Sequence, residues 1–184
     1  MRRRALLFST VILLARCAPG RDLPLLPPLS SREYRLGPGD MLRIITYGED
    51  PLTGEFRVSD QGSVAVPLAG SVRAAGRTPH ELENALAAAL KKGDMLRKPS
   101  VSVEVATYRP IYVLGEVNKP GQYPYQPGMT VVSAAAVAGG FTYRAVEDYA
   151  SVLRTVNGDS IEGKAQRQTP VQPGDVITVF ERRF

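Results

Sequence analysis

At 184 residues and 43% hydrophobic content the chain can build one domain or two small ones around a proper core. Of its 23 basic residues Arg2, Arg3, Arg4 and Arg16 precede every acid, which leaves 19 against 18 acidic residues in the rest, with no basic run beyond Lys91-Lys92 and Arg182-Arg183 to suggest nucleic acid as the main partner. One cysteine (Cys17) and one histidine (His80) exclude an internal disulfide framework and a metal site built from those two residue types, and no Asp-x-Asp-x-Asp spacing supplies an all-oxygen site.

Residues 1–17, MRRRALLFSTVILLARC, have the parts of a secretory signal. Arg2 to Arg4 form its charged region, and the apolar run from Ala5 to Ala15 is too short to span a bilayer. Leu14-Ala15-Arg16-Cys17 is similar to a lipoprotein lipobox, in which the cysteine is acylated, so Cys17 is the candidate lipid attachment site. Arg16 stands where glycine or alanine is usual, and an ordinary cleavage site or an uncleaved leader stays open beside lipidation. Residues 18–33 hold Pro19, Pro24, Pro27 and Pro28 and read as an extended, poorly packed spacer.

A first folded half is expected over residues 34–108. Pro38-Gly39-Asp40 reads as a tight turn, with φ fixed at proline and left-handed backbone open to glycine, and Met41 to Tyr47 follows as a strand. Short strands surround the turn-like Asp60-Gln61-Gly62 and Ala69-Gly70. A helix begins at Thr78, with Pro79 in its first turn and Glu81 completing a capping box. Leu82, Ala85, Leu86, Ala89 and Leu90 share one face, and Gly93 supplies the stop. Val101, Val103 and Val105 then alternate along a half-buried strand.

A second half is expected over residues 109–184. "IYVLGEV" reads as a strand, Asn118 to Gly121 as a turn, and "QYPY" as a short return strand. Thr130 caps a short helix that ends at Gly139-Gly140, and "DYASVLRT" and "DVITVF" are later strands. The second copy of the turn phrase, Pro173-Gly174-Asp175, launches the last of them. One helix across a small sheet suits a β-grasp arrangement, so the fold class is α+β.

Residues for catalysis are hard to assemble. His80 lies in the first turn of a surface helix, where a solvated role is expected. Glu81 and Glu83 point in different directions on that helix, and Glu147 and Asp148 are adjacent in a loop. Glu116 interrupts an apolar strand and reads as an edge or turn residue. No phosphate-binding loop or nucleophile elbow is present, so the expectation is a protein without catalysis, cofactor or metal. Six tyrosines between Tyr108 and Tyr149 are compatible with sugar stacking, but strand and core roles explain them equally well.

"YRLGPGDMLRI", "DQGSVAVPLAGSVRAAGRTPHEL", "PSVSVEV", "VLGEVNKPGQYPY", "AVAGGFT" and "VQPGDVITV", taken in that order, resemble the outer-membrane polysaccharide export proteins. The resemblance runs from Tyr34 to Phe180 and implies a polysaccharide export domain followed by a soluble-ligand-binding β-grasp domain. It further implies a homo-oligomeric ring that conducts exopolysaccharide or capsule polymer from the periplasm, an inner-membrane polysaccharide co-polymerase as partner, and lipidation at Cys17. Some members continue into an amphipathic C-terminal helix that crosses the outer membrane; this sequence stops at Phe184, and a separate outer-membrane barrel is the expected partner. The alternative is a periplasmic glycan-binding or scaffold module that forms no channel. Pro38, Gly39, Asp40, Gly70, Gly115, Gly121, Gly139, Gly140, Pro173, Gly174 and Asp175 are expected to shape turns rather than touch polymer.

Overall fold

Leu42, Ile44 and Thr46 alternate along β1 (Met41–Thr46), and all three are buried. Such a strand needs partners on both edges, and it has them: β2 (Gly54–Arg57) and β5 (Val101–Thr107) pair with it antiparallel, giving the order β2-β1-β5. A separate hairpin joins β3 (Ser63–Val66) to β4 (Gly70–Arg73). Helix α1 (Pro79–Lys92) lays Leu82 and Leu86 into the core shared by these strands, and Leu90 is buried on the same face. Its capping box closes in both directions, with Glu81 N–H donating to Thr78 Oγ1 at 3.2 Å and Thr78 N–H donating to Glu81 Oε2 at 2.9 Å. The structure, a computed structural model, describes residues 19–28, 33–92, 96–156 and 158–182. The leader with Arg16 and Cys17, and the Gly93 stop, lie outside the described residues.

The second unit comprises β6 (Ile111–Gly115), β7 (Gly121–Tyr123), α2 (Val131–Val137), β8 (Tyr149–Val156), β9 (Asp159–Gln166) and β10 (Val176–Val179). The sheet order is β7-β6-β10-β8-β9, with β10 parallel to β6 and antiparallel to β8. Two hairpins joined through a helix, with the last strand inserted between them, make a β-grasp sheet. Helix α2 covers its inner face at close range because Ala134, Ala135 and Ala138, all fully buried, hold its axis near the strands. Thr130 and Ser133 form its capping box. The chain is therefore α+β, with one hydrophobic cluster in each unit.

Two departures from the sequence reading concern the far edge of this sheet. Residues 159–166 form a full strand, paired along its length with β8, although Ser160, Glu162, Gly163 and Lys164 give it little strand propensity. Of the proline-rich spacer, described over residues 19–28 and from Glu33, Pro24 to Pro28 run extended as expected, whereas residues 19–23 turn, and the described segment is not poorly packed. Leu26 N–H donates to Lys164 O at 2.9 Å and Lys164 N–H donates to Pro24 O at 2.7 Å, so the segment adds itself in parallel to the open edge of β9. Leu26 turns into the second core while Leu25 stays 68% exposed. An unpaired edge accepts any extended chain that reaches it, and prolines keep this one extended. Gly163 makes the approach possible: a Cβ there would stand 2.6 Å from Leu26 Cα.

Candidate functional site

The two Pro-Gly-Asp phrases fold into the same turn. Asp40 N–H donates to Gly37 O at 3.2 Å, and Asp175 N–H donates to Gln172 O at 3.1 Å. Gly39 and Gly174 take φ of 94° and 89°, the left-handed position of a type II turn. In each turn the aspartate folds back onto the first residue, accepting from Gly37 N–H at 2.8 Å or from Gln172 N–H at 2.7 Å.

Both aspartates are buried, and each meets one arginine. Asp175 receives Arg154 bidentately, at 3.0 Å from Nε and 2.7 Å from Nη2. Asp40 accepts from Tyr34 Oη at 2.6 Å and from the Arg109 backbone N–H at 3.2 Å. Arg109 Nε lies 3.3 Å from Asp40 Oδ1, within charge-pairing distance but without hydrogen-bond alignment. Burial first, and then the Asp40 charge, push the Tyr34 hydroxyl far above its ordinary pKa. Burial pulls Arg109 the other way, but Tyr34 and Asp40 outweigh it and hold the guanidinium charged.

Arg109 stands between β5 and β6, and its side chain runs past both turns. A Cβ on Gly37 would come within 2.7 Å of Arg109 Cζ, and one on Gly174 within 3.6 Å of its Nη1. Gly174 N–H donates to Pro110 O at 2.9 Å. The turns that open the first unit and launch the last strand of the second thus close on the same short link, Tyr108 to Pro110. Edge-to-face contacts carry the packing onward, from Tyr34 to Tyr108 at 5.0 Å and from Tyr108 to Tyr125 at 5.4 Å between centroids.

The remaining turn glycines divide. Gly70 (φ 70°) opens β4, and Gly139 and Gly140 (φ 84° and 85°) follow the end of α2. Gly115 (φ 81°) ends β6 where a Cβ would strike Val179 O at 2.1 Å. Gly121 needs no left-handed backbone and simply opens β7. Asn118, expected only as the start of a turn, ties the Gly139 carbonyl with an Nδ2–H bond of 2.8 Å. Glu116 accepts the Thr142 hydroxyl, and His80 lies exposed beside Glu83. Among the described residues no three histidine, cysteine or acidic side chains gather into a metal-binding group, and no helix is long and apolar enough to cross a membrane.

A second feature lies where the N-terminal segment passes the β8–β9 hairpin. An open groove of about 690 Å³ is lined by Arg21 and Leu25 from that segment, by Asp148 and Tyr149 at the start of β8, and by Lys164 and Gln166 on β9. Arg167 and Gln168 complete its rim. Lys164 Nζ donates to Arg21 O at 3.0 Å and sits 5.9 Å over the Tyr149 ring, whose hydroxyl donates to Pro19 O at 2.9 Å. No local signal reveals this groove, because Arg21 and Arg167 are brought together only by the edge pairing.

Residues 28–106 match the family described as Polysaccharide biosynthesis/export protein, and residues 110–164 match the SLBB domain. An exopolysaccharide production protein, ExoF, of Rhizobium meliloti (strain 1021) is 38% identical over 119 residues, covering 59% of this chain and 28% of that protein. The EPS I polysaccharide export outer membrane protein EpsA of Ralstonia nicotianae is 27% identical, over 81% of this chain and 48% of its own. A capsule polysaccharide export outer membrane protein, CtrA, of Neisseria meningitidis serogroup A is 27% identical, over 71% and 35% respectively. The chain belongs to the polysaccharide export family. It matches less than half the length of each of these relatives.

Proposed function

We propose that this protein is a periplasmic, outer-membrane-associated component of an exopolysaccharide or capsule export channel. Residues 34–108 act as the export domain and residues 109–184 as the ligand-binding β-grasp domain. Subunits assemble into a ring, polymer passes through it without catalysis, an inner-membrane co-polymerase feeds it, and an outer-membrane barrel continues the path. Acylation of Cys17 would tether the ring to the membrane. The observation that carries this reading is the tandem of the two family matches, alongside relatives whose names all concern polysaccharide production or export. The joint at Arg109 suits it: a conduit needs small domains held at a fixed angle, and the paired turns hold them.

The second reading is a glycan-binding or scaffold module that forms no channel, favoured by the groove beside Tyr149. Chemical crosslinking in polymer-producing cells separates the two. A ring gives a ladder of products beyond the dimer; a binding module stops at monomer or dimer and holds sugar fragments tightly.

A further inference from the structure

The groove beside β9 carries an unequal set of groups. Three cations (Arg21, Lys164 and Arg167) face it, against one lining carboxylate, Asp148. Arg167 is drawn toward Glu147 at 3.7 Å, but Glu147 is shared with Arg182 at 3.6 Å, and the Arg167 side chain keeps 47% of its surface exposed. Arg21 has no ion-pair partner among the described residues. Between the cations stand groups of another kind. Gln166 and Gln168 offer amides suited to hydroxyls, and Leu25 offers an exposed apolar surface.

We propose that this groove is a subsite for an anionic sugar chain, in which carboxylates of the polymer meet Arg21 and Arg167 while its hydroxyls meet Gln166 and Gln168. The mixture decides the ligand class. A bare inorganic anion uses only the cations, and a neutral glycan leaves them without a counter-charge; a carboxylated sugar satisfies both sets at once. Lys164 takes a positioning part, since its ammonium already ties the Arg21 carbonyl and thereby fixes the segment that forms one wall. The groove is open and its charges are solvated, so each contact is weak. Weak contact suits a polymer that must move on. The choice of a polymer as ligand rests on the export reading, while the charge preference rests on the groove alone.

Hexagalacturonate and maltohexaose, equal in length and different in charge, are titrated into the purified 15N-labelled protein. The acidic chain is expected to give saturable shifts at the amides of Tyr149, Lys164 and Gln166 in the millimolar range, weakened by added salt, and the neutral chain to give much smaller ones. Arg21→Gln and Arg167→Gln, both at exposed side chains, are each expected to weaken uronate binding by about two- to fivefold with the rest of the spectrum unchanged. Equal response to both sugars, shifts placed elsewhere, or no saturable response overturns the proposal. So does equal binding of polyglutamate or of anionic lipid vesicles through the same amides, which would make the groove an unselective cationic patch or a membrane contact. Loss of uronate binding in an otherwise export-competent protein removes this inference and leaves the export reading standing; uronate binding here in a protein that export does not need does the reverse.

Discussion

Asp40 and Asp175 occupy the same place in the same turn, and each sets a buried negative charge against one arginine. Pairs of this kind add little net stability when made, but removing one partner strands the other in a low dielectric. Arg154→Met is therefore expected to cost about 3–5 kcal/mol by leaving Asp175 buried without its countercharge, measured as a shift in urea midpoint at constant slope. Asp40→Ala should cost a similar amount and also loosen the joint, because Arg109, Tyr34 and Gly37 all lose their acceptor. Tyr34 gives the molecule an alkaline limit. Its folded pKa lies above the ordinary value near 10, so the unfolded chain loses the phenolic proton first and rising pH favours unfolding. The stabilisation is full below about pH 10 and is lost as pH climbs toward the folded value. Tyr34→Phe should cost about 1 kcal/mol at neutral pH and flatten the loss of stability above pH 10, as read from denaturation midpoints across that range.

Elements differ in how openly the sequence declares them. The start and buried face of helix α1 were legible, because Thr78, Pro79 and Glu81 mark the one and Leu82, Leu86 and Leu90 the other. Strand β1 was legible from the apolar run that follows the first Pro-Gly-Asp, and both Pro-Gly-Asp phrases were legible as turns. What they do together was not: the meeting of Gly37, Arg109 and Gly174 depends on tertiary closure that no local pattern encodes. Strand β9 was missed because its polar side chains and Gly163 weaken the strand pattern, although Asn157-Gly158 is a dipeptide that favours hairpin turns. The N-terminal segment was misread for a related reason. Proline-rich composition reports an extended backbone but not whether a sheet edge is waiting for it. Gly163→Ala tests that edge directly. The added methyl meets Leu26 Cα, so the segment should detach, with faster amide exchange at Leu26 and Lys164 and little change at Val152 or Ile177 in the core.

For the whole molecule, the consequence is two small cores joined at a charged and aromatic clasp rather than by a free linker. Such a body can be repeated around an axis with its domain angle preserved, which is what a conduit for a moving polymer requires. The proposed role needs no chemistry at the sugar, only a passage and weak, repeated contacts along it. That role is tested most directly by measuring extracellular and periplasmic polysaccharide in a strain lacking this gene, with and without a complementing copy. The account predicts that secreted polymer falls away and returns with the copy. Secretion and periplasmic content that both stay unchanged, in a strain with no paralogue to substitute, would contradict it.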